Sequence, residues 1–96
     1  MADRLRDFRT ALADAHRVAD WAHHAAWRAR RRGDALSEAW AALATTIQSE
    51  PMRTALTAEV TAATARARQY ENEACRNRDQ LGELVRLLGV KEGKRG

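Results

Sequence analysis

Between Leu56 and Leu88, apolar residues recur at Leu56, Val60, Ala63, Ala67, Tyr70, Ala74, Leu81, Leu84 and Leu88, with Asn77 in the one remaining slot. Steps of four and three residues alternate without an error. Heptad spacing of this kind keeps one stripe of a helix against a neighbouring helix, so the stretch predicts a long helix packed along another.

The first third of the chain repeats the pattern. Leu5, Phe8, Leu12, Ala15, Ala19, Ala22, Ala26 and Ala29 follow the same three-four alternation, and Ala11, Val18, Trp21 and Ala25 form a second strip beside it. A stripe this wide can touch more than one helix. Asp3 is a candidate N-cap, and a first helix is expected over residues 3–32. Gly33 offers the left-handed conformation that stops a helix, and Asp34 caps a second segment, residues 35–48, with Leu36, Trp40, Leu43 and Ile47 on its inner face. Ser49-Glu50-Pro51 is the clearest turn signal, because a proline in a first helical turn lacks only an N–H that had no partner. The third helix is expected over residues 51–88, ended by Gly89, with a basic, frayed tail over 90–96.

Folding the chain at this turn brings Ile47 to Met52, Leu43 to Leu56, Trp40 to Val60 and Leu36 to Ala63. In a second register, displaced by the break at Gly33, Leu5 meets Leu88, Phe8 meets Leu84 or Val85, Leu12 meets Leu81, Ala19 meets Ala74, Ala22 faces Tyr70 and Ala26 meets Ala67. Bulky residues meet at the far end and alanines in the middle, which lets helices approach without voids. The expected fold is therefore all-α: one helical domain over residues 1–96, a long antiparallel helical hairpin whose first arm is broken near Gly33. A parallel homodimer is the competing arrangement, pairing Arg66 with Glu71 and Glu73 with Arg78 of the partner copy. The hairpin leaves Val18, Trp21, Val85 and Leu87 outside its single interface, and the simplest cover for them is a second hairpin, giving a dimeric four-helix bundle or coiled coil.

Composition narrows the function. The net charge is +4 and the pI about 10.2, a balance that permits nucleic acid or another acidic partner, although arginine spread along helices also makes an ordinary solvated surface. Basic residues are densest at Arg28–Arg32 and in the tail at Lys91, Lys94 and Arg95. Cys75 is the only cysteine, which excludes an internal disulfide, and no Cys/His spacing suggests zinc. Charges at Arg4, Asp7 and Arg9 interrupt any early apolar run, no run approaches membrane-spanning length, and a cytoplasmic protein without membrane partners is expected. The preponderance of alanine and arginine over lysine hints at a GC-rich, actinobacterial or phage source.

No nucleophile lies at readable spacing from a base, no glycine loop cradles a phosphate, and no carboxylate pair sits in an apolar run, so neither catalysis nor a cofactor is expected. His16, Asp20 and His23 share one helix face at ligand spacing, with His24 also four from Asp20, but a third or fourth metal ligand is missing. Trp27 lies on the back of the first helix beside Arg28, Arg30, Arg31 and Arg32, and Trp with Arg is the composition of a binding hot spot. Together with Trp21 these residues form the candidate partner surface. Leu5, Phe8, Leu12, Trp40, Leu56, Val60, Tyr70, Leu81, Leu84 and Leu88 form the candidate core or dimer seam. In size and shape alone the hairpin resembles the small secreted WXG-type hairpins of actinobacteria; their Trp-x-Gly turn is absent, since Ala41 and Ala42 follow Trp40. The expected function is a small non-enzymatic accessory or regulatory protein acting by protein–protein contact, with itself and another protein as partners; the alternative is a basic nucleic-acid-binding helical dimer.

Overall fold

The computed structural model describes residues 2–92, the side chains of 90–92 excepted. Two helices make up the fold, α1 over Ala2–Ala44 and α2 over Glu50–Glu92, packed antiparallel as a hairpin. Packing divides the chain into two compact units, Met1–His24 with Glu73–Gly96, and Ala25–Asn72. No helix among the described residues is long and apolar enough to cross a membrane.

The connection follows from its residues. The Thr46 N–H and hydroxyl both donate to the Leu43 carbonyl, at 2.9 and 2.7 Å, and the Ile47 N–H donates to the Ala44 carbonyl at 3.2 Å. These bonds satisfy carbonyls that the end of α1 leaves open. Ser49 caps α2: its hydroxyl accepts the Met52 N–H at 3.3 Å, and its carbonyl accepts the Arg53 N–H at 2.9 Å. Pro51 falls in the first turn, where its missing N–H removes nothing. Arg53 Nη1 then reaches back to the Ile47 carbonyl at 2.6 Å and ties the loop to α2.

Four expectations are corrected here. The break at Gly33 is absent, and α1 continues through it. A Cβ placed on Gly33 would lie 3.5 Å from the Ala67 Cβ and 3.7 Å from the Thr64 Cα, so this glycine marks a close approach between helices within the unit Ala25–Asn72. Asp34, expected as a cap, instead pairs with Arg68 Nη2 at 3.1 Å. Without a break, no residues are consumed at Gly33, and the displaced lower register fails with it: Arg30 pairs with Glu71 and His23 with Arg78, a register about eight residues from the one that sets Ala26 against Ala67 and Ala22 against Tyr70. Gly89 likewise does not end α2, which runs on to Glu92; the rest of the expected tail, including Lys94 and Arg95, lies outside the described residues.

The inner face also differs by one column of residues. On α1 the positions turned inward are Leu12, Ala19, Ala26 and Trp40, as expected, together with Gly33, alternating with His16, His23, Arg30 and Ser37 in place of Ala15, Ala22, Ala29 and Leu36. On α2 they are Val60, Ala67, Ala74, Leu81 and Leu88, alternating with Thr64, Glu71 and Arg78 in place of Ala63, Tyr70 and Asn77. Each helix has turned so that a polar column faces its neighbour and an apolar column is left outside. Arg30, Glu71, Thr64, His23 and Arg78 tolerate this position because each finds a partner across the interface. Arg30 Nη1 donates to Glu71 Oε1 at 2.8 Å, Trp40 Nε1 to Thr57 Oγ1 at 2.9 Å, and Thr64 Oγ1 to the Gly33 carbonyl at 3.3 Å. In the other unit, Arg78 Nη1 lies 3.0 Å from His23 Nδ1. Arginine only donates, so that imidazole nitrogen is the acceptor.

Candidate interaction surface

The core is thin for a chain of 96 residues. Among the described residues the buried apolar side chains are Leu12 and Ala19, at 6% and 4% exposure, and the one buried polar side chain is Thr64. The expected seam residues divide. Leu12 is buried, and Trp40, Val60, Leu81 and Leu88 are half-buried. Leu5, Phe8, Leu56, Tyr70 and Leu84 stay exposed, Tyr70 at 65%, so Tyr70 does not lie over Ala22 as expected.

The two edges of the helix pair in the unit Ala25–Asn72 differ in character. Asp34 and Arg68 follow the inward positions Gly33 and Ala67, and their ion pair closes one edge. Arg30 Nε adds a 3.8 Å contact to the same carboxylate. The residues preceding the inward positions Arg30, Ser37 and Ala44 are Ala29, Leu36 and Leu43; those preceding Thr57, Thr64 and Glu71 are Leu56, Ala63 and Tyr70. In an antiparallel pair these residues flank the opposite edge, and all six are exposed and without charge.

The expected partner residues are placed differently from one another. Trp21, in the unit built from residues 1–24 and 73–96, is 77% exposed. Trp27 is exposed, and the Arg31 guanidinium lies 5.2 Å from the ring centroid, within cation–π range. Arg28 and Arg32 are exposed, and no ion pair among the described residues engages them. Arg30 turns inward to Glu71 and Asp34. Glu71, Arg78, Thr57 and Thr64 are the residues that apolar periodicity misses. The signal for Glu71 is opposite charge facing across the antiparallel register, Arg30 to Glu71, beside Asp34 to Arg68.

The histidines do not converge. His23 is held by Arg78, His24 Nε2 lies 3.7 Å from Asp20 Oδ2, and a Cβ on Gly82 would lie 3.4 Å from His16 Nε2. Among the described residues, no three His, Cys, Asp or Glu side chains are grouped so as to hold a metal ion. Cys75 is half-buried, with Sγ 3.7 Å from Asp79 Oδ2 and 3.9 Å from Arg78 Nη2. Among the described residues, the groups whose titration departs from the ordinary value are an exposed pair on α2, Glu83 and Arg86. Hydrogen bonding from Arg86 lowers the Glu83 pKa below its ordinary 4.5, and the same bond raises that of Arg86. Neither the groove at Leu12 and Val85 nor a second one at Ala44, Thr54 and Thr57 brings together an acid, a base and a nucleophile. No protein-family model, curated protein or solved structure matches the chain.

Proposed function

We propose that this chain is a non-enzymatic helical interaction protein that works in the cytoplasm by protein–protein contact. The observation that carries the reading is the imbalance of its apolar surface. Among the described residues two apolar side chains are buried, while large ones from Leu5 and Phe8 to Val85 and Leu87 remain in contact with solvent. Apolar surface of this extent on a small chain is the mark of a surface completed by another protein. Both a second copy and an unlike protein fit the reading.

Trp27 with Arg28, Arg31 and Arg32 supplies the anchor for the unlike partner. A partly exposed indole stacked by one arginine and flanked by two unpaired ones offers apolar area and charge together. The test is recovery of a defined partner on immobilised full chain, repeated with Trp27→Ala and at rising salt. Capture that survives salt and is lost in Trp27→Ala supports the reading. Capture unchanged by Trp27→Ala removes that surface from it.

The unpaired guanidinium groups of Arg28 and Arg32 favour a second reading, a phosphate backbone. That reading expects a gel shift with duplex DNA or RNA that fades steeply with salt and is lost when Arg28, Arg31 and Arg32 are changed to Ala.

A further inference from the structure

We infer that His23 and Arg78 form an acid-sensitive clasp: it holds the unit Met1–His24 with Glu73–Gly96 closed while the imidazole is neutral, and loosens that unit when the imidazole takes up a proton. The inference goes beyond the protein-contact reading and does not depend on it.

The geometry sets the state of the ring. Arg78 Nη1 lies 3.0 Å from His23 Nδ1. A guanidinium has donors only and does not give up its charge in a protein. Nδ1 therefore supplies a lone pair, and the ring proton sits on Nε2. A second ring proton turns the acceptor into a donor. Two donors then face each other, and two positive charges stand 3.0 Å apart. Even in water, unit charges that close repel enough to shift an equilibrium about tenfold. Arg78 can swing toward Asp79, which already accepts from Nη2 at 3.2 Å; this relieves part of the repulsion and gives up the bond between the helices.

The other charged and titratable groups are engaged elsewhere. From α2, Asp79 and Cys75 meet the same Arg78 guanidinium through Nη2. Glu71, the inward carboxylate one heptad before Arg78, belongs to the other unit and is held by Arg30. From α1, Asp20 contacts His24 Nε2 at 3.7 Å, and the His24 ring centroid stands 6.1 Å from that of His23. Protonation of His24 strengthens its contact with Asp20 and so works in the opposite direction. His16 Nε2 is turned to Gly82, which carries no charge.

The clasp sits where its release has most effect. Leu12 and Ala19, the buried apolar side chains among the described residues, both belong to this unit. Loosening it brings them into water. The unit Ala25–Asn72 contains no histidine and is tied by the Arg30–Glu71 and Asp34–Arg68 ion pairs.

The test is amide hydrogen exchange of the full chain, corrected for intrinsic rates, at about pH 8 and about pH 5. Protection in residues 2–24 and 73–92 should fall severalfold, up to about tenfold, at the lower pH, and that in residues 25–72 should fall less. His23→Gln, whose amide oxygen can accept from Arg78 and takes up no proton, should abolish the difference. No fall, an equal fall in both units, or a fall that persists in His23→Gln overturns the inference. Because a variant can alter the fold, the imidazole nitrogen shifts of the unaltered chain give a second measurement at about pH 8. A bare Nδ1 on His23 supports the clasp, and a proton on Nδ1 overturns it.

Discussion

Gly33→Ala separates the observed backbone from the one that glycine suggests. Within a helix, Gly costs about 1 kcal/mol relative to Ala, because it loses more chain entropy on folding. Gly33 lies inside α1, so Ala should recover most of that amount. The new methyl group would sit 3.5 Å from the Ala67 Cβ and 3.7 Å from the Thr64 Cα, both ordinary van der Waals distances. Each carbon contact adds only about 0.1–0.2 kcal/mol, so packing neither opposes nor dominates the gain. The Thr64 hydroxyl bond to the Gly33 carbonyl involves no atom that the substitution changes. The expected outcome is stabilisation by roughly 0.5–1 kcal/mol, which raises the melting temperature of a domain of this size by several degrees. Urea unfolding followed by far-UV circular dichroism, at one fixed protein concentration, gives the number; the concentration is fixed because self-association would move the midpoint. A left-handed stop at Gly33 would give the opposite sign, since Ala at a positive φ loses about 1 kcal/mol or more. Destabilisation by ~0.5 kcal/mol or more would refute both the continuous helix and the stated helix spacing.

Three further outcomes follow from named contacts. Arg30→Ala should destabilise more than Glu71→Ala, by about 1–3 kcal/mol against about 1, because Glu71 is 12% exposed and would lose its partner, whereas Arg30 is 43% exposed and keeps water and Asp34; equal costs in the same unfolding assay would contradict this. Ser49→Ala should cost about 1 kcal/mol by removing the cap on Met52, with Ser49→Gly costing only a few tenths; a neutral Ser49→Ala would show that the cap does not hold in solution. Arg86→Met should bring the Glu83 titration midpoint, read from its carboxyl NMR shift, back up toward 4.5. The sign is that of a lowered carboxylate: the pair favours the folded state above the ordinary pKa and its contribution fades as pH falls through the lowered one. An unmoved midpoint would remove Arg86 as the cause.

The hairpin was legible because periodicity and turn chemistry are local. Leu12, Ala19 and Trp40 on one arm, and Val60, Ala67 and Leu81 on the other, lie on the faces that their spacing assigned. Ser49 and Pro51 begin α2 for the reasons their side chains give. What failed was the weight given to single residues. Gly33 looks like punctuation, because a glycine at a helix contact and one at a helix end are alike in sequence. The rotational setting of each helix failed for a different reason. Counting apolar residues favours Ala29, Ala63 and Tyr70 over Arg30, Thr64 and Glu71, because the count assigns no value to a hydrogen bond across the interface. Reading the charges along the antiparallel register would have recovered Arg30–Glu71 and Asp34–Arg68.

That rotation is what makes the surface informative. A chain that folded alone under the hydrophobic effect would turn Leu36, Leu43 and Leu56 inward and leave Arg30 and Glu71 in water, since each buried leucine contributes about 1.5–3 kcal/mol and an exposed ion pair little. Here Glu71 is 12% exposed in its pair with Arg30, while Leu36, Leu43 and Leu56 are 48%, 52% and 40% exposed. The polar column serves a purpose that apolar residues cannot: its pairs form in one register only, so they fix which residues of α1 and α2 oppose each other. Replacing Arg30 and Glu71 together with Met and Leu therefore tests the division of labour. The replacement should hold or raise stability while blurring the register. Its signature would be the loss of a single well-dispersed set of amide resonances in a protein that remains fully helical.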